Sequence, residues 1–85
     1  MKAVERLAEW GYEDVLIFEN PGYDEALIGV SEDNRAVYDY EKMVDWLAVD
    51  YHISREEAIE FIEYNTIRAL PYYENAPIVV HRLPE

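Results

Sequence analysis

The strongest constraint on the fold is a pair of apolar segments, residues 26–30 and 36–40, separated by the polar stretch Ser31-Glu32-Asp33-Asn34-Arg35. Within that stretch Asn34 can adopt the positive φ that a tight turn requires. Two short β-forming segments joined by such a turn are typical of a β-hairpin. The remaining elements are therefore expected to pack around an antiparallel pair of strands.

A helix and a strand are predicted before the hairpin. Apolar residues at Ala3, Val4, Leu7 and Ala8 recur at the spacing of one helical face, and Gly11 can end a helix in the left-handed conformation. The spacing predicts a helix over residues 2–10. The apolar run VLIFEN, residues 15–20, is closed by Pro-Gly and predicts a buried strand.

Capping signals place two more helices. Asp39 can cap a helix over residues 41–50, and SREE, from Ser54 to Glu57, matches the capping box. That third helix is expected to run to about Leu70, because Pro71 cannot continue it. A last strand is predicted in APIVVH. The order is α-β-β-β-α-α-β in a single α+β domain of residues 1–85, with helices on one face of a mostly antiparallel sheet.

Length and residue inventory favour a binding protein over an enzyme. A chain of 85 residues without cysteine has one small core and no thiolate for zinc. The potential nucleophiles Ser31 and Ser54 are predicted to belong to a turn and a cap, and His52 and His81 have no ligand spacing. The three glycines match no phosphate loop. We therefore expect no catalytic residue, no metal and no cofactor.

The charge balance is the most unusual global property. Nineteen Asp and Glu against seven Lys and Arg give a net charge of −12. Direct binding to nucleic acid or to an anionic membrane is disfavoured, since phosphate contacts depend on Lys and Arg, and a basic protein partner is favoured. No apolar run approaches a membrane span and the N-terminus does not resemble a signal peptide, so a cytoplasmic location is expected.

The predicted third helix carries acids at four- and three-residue intervals, which places their carboxylates on one stripe. Duplex DNA carries a phosphate about every 3.4 Å along each strand, so such a stripe imitates a phosphate row at lower density. The second helix and the hairpin turn add further acids, and a tyrosine beside carboxylates suits a protein-binding face. The alternative is an ordinary solvated helix face. The candidate partner-binding residues are Glu56, Glu60, Glu63, Asp45, Glu41, Glu32, Asp33 and Tyr64.

Two polar residues interrupt the apolar run near the end of the third helix. Helical phase places Asn65 on the core side with Ala58 and Ile62, where its amide would bond a strand or the loop around Pro71. Arg68 is expected to stack on Tyr64 and to pair with a carboxylate such as Glu63 or Glu60. A structural fastening of the helix end is favoured over an exposed functional patch.

The segments YDEALIGVSEDNRAVYDYEKMVDWL, EEAIEFIEYNTIRALPY and PIVV resemble a group of small, mostly uncharacterised proteins of phages, prophages and other mobile elements of Firmicutes. The resemblance spans residues 23–80 and implies no catalytic residue. It implies a bacterial host cell and a setting in which small acidic proteins often inhibit host defence, as anti-CRISPR and anti-restriction proteins do.

Charge, tyrosines and resemblance together predict a non-enzymatic protein that inhibits a basic, nucleic-acid-handling host protein, a CRISPR effector being one candidate. Inhibition by nucleic-acid mimicry and by docking elsewhere both stay open. The alternative is a small structural or regulatory interaction module that forms a homodimer. An enzyme with an acidic metal site is a third, weaker hypothesis.

Overall fold

A computed structural model describes residues 2–84. The helices are α1 (Ala3–Glu9), α2 (Tyr40–Tyr51) and α3 (Arg55–Phe61), and the strands are β1 (Leu27–Val30), β2 (Ala36–Asp39) and β3 (Ile78–Val80). A 3-10 turn, Asp24–Ala26, precedes β1. After α3 the chain continues as a π segment, Ile62–Thr66, and a 3-10 segment, Ile67–Tyr72. The predicted α+β class is confirmed.

The sheet has the order β1-β2-β3. The predicted hairpin is confirmed: β1 and β2 are antiparallel, and Asn34 in the turn has a φ of 60°. The register shifts between Leu27 and Gly29, so β1 carries an irregularity typical of an edge strand. β3 joins the other side of β2 in parallel, after the chain has crossed over through α2 and α3.

Both predicted capping signals form as expected. The Asp39 carboxylate accepts a hydrogen bond from the backbone N–H of Glu41 and starts α2. At α3, the Ser54 hydroxyl accepts from the N–H of Glu57 while the Glu57 carboxylate accepts from the N–H of Ser54, at 3.1 Å each. Gly11, just past α1, has the predicted positive φ of 83°.

The predicted strand over residues 15–20 is wrong. This segment belongs to no sheet. The segment is held by its side chains instead: Val15, Ile17 and Phe18 pack against the core. The N–H of Phe18 donates to the Tyr38 hydroxyl at 3.2 Å, and the two rings lie 4.6 Å apart between centroids. The apolar pattern indicated contact with the core correctly for three half-buried residues, but it predicted neither the exposure of Leu16 nor the absence of strand pairing.

The third helix also departs from its prediction, because it is not α-helical to Leu70. Its α-helical part ends at Phe61, and the π segment then takes more residues per turn. Pro71 lies inside the 3-10 segment, which continues to Tyr72. The wider π turn keeps the inward face on a four-residue spacing from Ala58 through Ile62 to Thr66, all buried.

The core lies between α1, α2, α3 and the sheet. Its largest fully buried side chains come from the turn before β1, from β2, from α2 and from the π segment: Tyr23, Tyr38, Met43, Val44, Leu47 and Ile62. Aromatic rings join these elements, since the Tyr23 ring lies 5.5 Å from Phe18 and 5.6 Å from Trp46. Burial raises the pKa of the Tyr38 hydroxyl to about 12.

Asp39 is the charged residue on which the junction of sheet and helix depends. Its side chain is 3% exposed, and its second oxygen lies 2.9 Å from Nε of Arg82, just after β3. We expect Asp39→Ala to lower the free energy of unfolding by about 2 kcal/mol, because it removes both the cap of α2 and this ion pair. Urea unfolding measures the change.

Asp39→Asn is the matched control for this variant. Asparagine caps helices as well as aspartate does, so this variant should lose the ion pair but keep the cap and be less destabilised than Asp39→Ala. Equal stability of Asp39→Ala and the unmodified protein would contradict the role given to Asp39.

Candidate functional site

The exposed face of α3 carries the first part of the predicted acidic surface. Glu56 and Glu60 are one helical turn apart, and both are exposed. Within residues 2–84 neither has a cation within 4.0 Å. Tyr64 follows in the π segment and is 68% exposed. We call these three residues, Glu56, Glu60 and Tyr64, the α3 face.

Glu63 is held away from the α3 face by a contact with α2. Its carboxylate accepts a 2.7 Å hydrogen bond from the hydroxyl of Tyr40, whose side chain is buried at the start of α2. Burial, and secondly this neighbouring carboxylate, raise the pKa of the Tyr40 hydroxyl to about 12. Glu63 therefore ties the π segment to α2.

Glu41 and Asp45 on α2 are bound by one arginine. The Arg55 guanidinium reaches across from the first turn of α3, with one nitrogen 2.6 Å from Glu41 Oε2 and the other on Asp45 Oδ1. This fork joins two helices and offsets part of their charge. Sequence reasoning missed Arg55, although two carboxylates one turn apart on a neighbouring helix are a suitable partner for a guanidinium.

The two acids of the hairpin turn behave differently from each other. Asp33 accepts a hydrogen bond from the Ser31 hydroxyl and lies 3.9 Å from the Arg35 guanidinium. Glu32 is exposed and, among the residues that the structure describes, has no ion-pair partner. Of the predicted acids, Glu32, Glu56 and Glu60 are thus the ones with neither an ion pair nor a side-chain hydrogen bond to another described residue.

All five arginines of the chain contact other groups of the same chain. Beside Arg55 and Arg82, Arg6 donates to the carbonyl oxygen of Asp24 at 3.1 Å and Arg35 to that of Ala76 at 2.8 Å. Arg68 stacks on Tyr64, with its guanidinium carbon 4.8 Å from the ring centroid. The guanidinium charges are therefore placed against partners within the fold, whereas many carboxylates face solvent.

The predicted roles of Asn65 and Arg68 are only partly correct. The stacking of Arg68 on Tyr64 is confirmed, but no described carboxylate lies within ion-pair distance of Arg68. Asn65 is exposed and its amide donates to the carbonyl of Phe61 one turn earlier, at 3.1 Å. The π segment moves Thr66 into the inward position instead, where its hydroxyl lies 2.8 Å from that of Tyr23.

The tyrosines divide into a core group and a surface group. Tyr23, Tyr38 and Tyr40 are buried, whereas the others are at least 40% exposed: Tyr12, Tyr51, Tyr64, Tyr72 and Tyr73. The surface group includes Tyr73, which borders a groove described next.

A groove of about 490 Å³ lies between residues 16–21 and the end of the third helix. The helical wall contains Phe61, Asn65, Thr66 and Ala69, and Glu19 carries the one charged side chain among the lining residues that the structure describes. Sequence reasoning missed the groove, because it placed residues 15–20 inside the sheet.

Comparisons with protein-family models, with curated proteins and with solved structures give no match to this chain. Within residues 2–84 no helix is long and apolar enough to cross a membrane. The same residues contain no group of three or more His, Asp or Glu side chains suited to hold a metal ion. His81 stacks on Tyr40 with 4.4 Å between ring centroids, and His52 ends α2 with a φ of 54°.

The Tyr40–Glu63 contact predicts an alkaline loss of stability. The pKa of the Tyr40 hydroxyl is raised from 10 to about 12 in the folded protein, so the unfolded chain ionises first as pH rises. The stability that this hydroxyl contributes is complete below pH 10 and is lost between about pH 10 and 12, in the same range as that of Tyr38. Tyr40→Phe should make this fall shallower in urea unfolding measured at several pH values.

Tyr72→Phe is the matched control for the alkaline experiment, because Tyr72 is 86% exposed. It should leave the pH profile of the free energy of unfolding unchanged. A Tyr40→Phe profile as steep as that of the unmodified protein would show that Tyr40 does not carry the effect.

Proposed function

We propose that this protein is a non-enzymatic binding protein of a phage or mobile element that inhibits a basic, nucleic-acid-handling protein of its bacterial host. A CRISPR effector is one candidate partner. The observation that carries the proposal is the distribution of charge: four arginines contact carboxylate or carbonyl oxygens of the fold and Arg68 stacks on Tyr64, while, within residues 2–84, Glu32, Glu56 and Glu60 are exposed without ion pairs.

This distribution favours long-range attraction of a basic surface. A net charge of −12 on a domain with a Cα radius of gyration of 12.6 Å produces a negative potential around the molecule. Such a potential accelerates encounter with a positively charged groove and opposes contact with nucleic acid itself. Occupation of that groove would exclude its nucleic acid by direct competition.

The α3 face offers short-range contacts for the same partner. Tyr64 supplies a large, rigid ring next to the carboxylates of Glu56 and Glu60. Tyrosine is enriched at protein interfaces because it adds contact area at low entropic cost and keeps a hydroxyl for hydrogen bonding. A surface of this composition suits a lysine- or arginine-rich protein better than a small-molecule substrate.

The hydroxyl groups of the chain also fit a role without catalysis. Ser54 caps α3, Ser31 bonds Asp33 and the N–H of Arg35, and Thr66 bonds Tyr23. Serine and threonine nucleophiles require an adjacent base and an open approach for substrate. Each of these three hydroxyls instead serves a turn, a cap or the core.

The double variant Glu56→Gln/Glu60→Gln tests the proposed surface. The partner is first captured from host lysate and identified by mass spectrometry, and its affinity is then measured between 50 and 500 mM NaCl. We expect the affinity of the unmodified protein to fall steeply with salt, and the double variant to bind about tenfold more weakly at low salt.

The control is Glu9→Gln/Glu25→Gln, which removes the same two charges from exposed positions on α1 and before β1. This control should weaken binding much less, since it lowers the negative potential of the whole protein but leaves the carboxylates of the α3 face in place. Affinity that is insensitive to salt, or an equal loss in both double variants, would contradict docking through the α3 face.

A homodimeric regulatory module is the second candidate function, favoured by one observation. Trp10 is 81% exposed and borders a groove with Tyr12 and Ile28 along the free edge of β1. An open sheet edge beside an exposed tryptophan suits self-association. Sedimentation equilibrium distinguishes the two: a stable dimer that Trp10→Ser converts to monomer would favour this candidate.

A further inference from the structure

The segment that the sequence predicts as a strand lacks a strand partner within the fold. Residues 16–20 form no hydrogen bond between main-chain groups, among the residues that the structure describes. The one main-chain group there with a protein partner is the N–H of Phe18, which donates to the Tyr38 hydroxyl. Main-chain donors and acceptors seek partners, so this stretch depends on water or on another chain.

Side chains nevertheless fix the segment in place. Val15, Ile17 and Phe18 pack against the core, and the Phe18 ring contacts both Tyr23 and Tyr38. Pro21, which lacks an N–H, follows directly, and Asn20 has a φ of 47° that ends the run. A segment fastened through its side chains, with its main chain unpaired, is prepared to accept a second chain without refolding.

The groove beside this segment supplies room for such a chain. Its opposite wall is the end of the third helix, with Phe61, Ala69 and Tyr73 offering apolar and aromatic contacts. Thr66, also in this wall, is fixed by its hydrogen bond to Tyr23. Two residues of the wall, Asn65 and Thr66, belong to the π segment, a feature that is frequent at functional sites.

We propose that this groove binds an extended peptide segment of a partner protein, apolar in its centre and with lysine or arginine at its ends. Its main chain pairs with that of residues 16–19, its apolar side chains enter the groove, and a terminal cation contacts Glu19. Strand addition of this kind draws affinity from main-chain hydrogen bonds and specificity from side-chain pockets.

Charge decides between a foreign peptide and a second copy of this chain. Glu13, Asp14 and Glu19 are exposed at the two ends of the segment. A second copy pairing there would bring the same acids opposite them, which is destabilising, whereas lysine or arginine at the peptide ends complements them. The occupant is therefore a basic segment of a different protein.

The groove and the α3 face are tested separately, because they share no residue. Failure of the α3-face double variant to change partner affinity would leave the groove inference standing. Failure of the groove experiment would likewise leave the α3 face unaffected.

The experiment titrates the 15N-labelled protein with a synthetic peptide of sequence KVFVK that has blocked ends, followed by backbone NMR. We expect saturable shifts at the amides of residues 16–19 and of Asn65 and Thr66. A peptide with N-methyl groups on its two valines keeps the side chains but loses two donors, and should bind at least fivefold more weakly. The peptide EVFVE should bind more weakly still.

Glu19→Gln is the protein variant that tests the charge contact. It should lower affinity for KVFVK at least threefold and should not lower affinity for EVFVE, whereas Glu9→Gln, on α1, should change neither. Both positions are exposed, so neither variant is expected to disturb folding.

Three results would overturn the proposal. The first is an absence of saturable shifts at residues 16–19 up to about 2 mM peptide, a range that detects even millimolar affinity. The second is equal binding of the methylated and unmethylated peptides. The third is a dimeric mass for the protein alone whose interface, from amide protection, covers the groove.

Discussion

The contact on which the rest of the structure depends is made by Asp39, the last residue of β2. One of its oxygens caps α2 and the other pairs with Arg82 beyond β3, so one buried carboxylate joins the central strand, the following helix and the closing strand. A buried charge is costly unless it is fully bonded. Docking β3 elsewhere would separate Asp39 from Arg82 and leave one buried carboxylate oxygen without its cation.

The elements that could be predicted from the sequence are those set by local chemistry. The hairpin turn at Asn34 and the caps at Asp39 and Ser54 each depend on residues within a few positions of one another, and all three form as expected. The strand prediction for residues 15–20 is wrong because an apolar pattern indicates contact with the core, whereas a strand also needs a main-chain partner at a sheet edge. The prediction that Asn65 faces the core is wrong, and Thr66 takes the inward position instead. A π segment changes the helical phase, and the composition of the sequence does not indicate where one forms.

The candidate surface was predictable in charge but not in pairing. The number of acidic residues indicates a negative exterior. However, Glu41 and Asp45 form ion pairs with Arg55, and Glu63 accepts a hydrogen bond from Tyr40. Both contacts join the second helix to the third, so they depend on a helix packing that helical periodicity does not specify. The acidic α3 face is therefore smaller than the acidic surface predicted from the sequence. The groove, with one charged residue in its described lining, was not predicted by any sequence pattern.

In the proposed role the two surfaces would act over different distances. The negative field extends over roughly a Debye length, about 8 Å at physiological salt, and would govern encounter and orientation. Among the residues that the structure describes, the groove has one charged lining residue and unpaired main-chain groups, so its contacts would act at van der Waals and hydrogen-bond distance. A partner with both a basic surface and an extended basic segment would use the two in sequence. In that case salt would slow association far more than it speeds dissociation, because the main-chain contacts that hold the bound state are weakly screened.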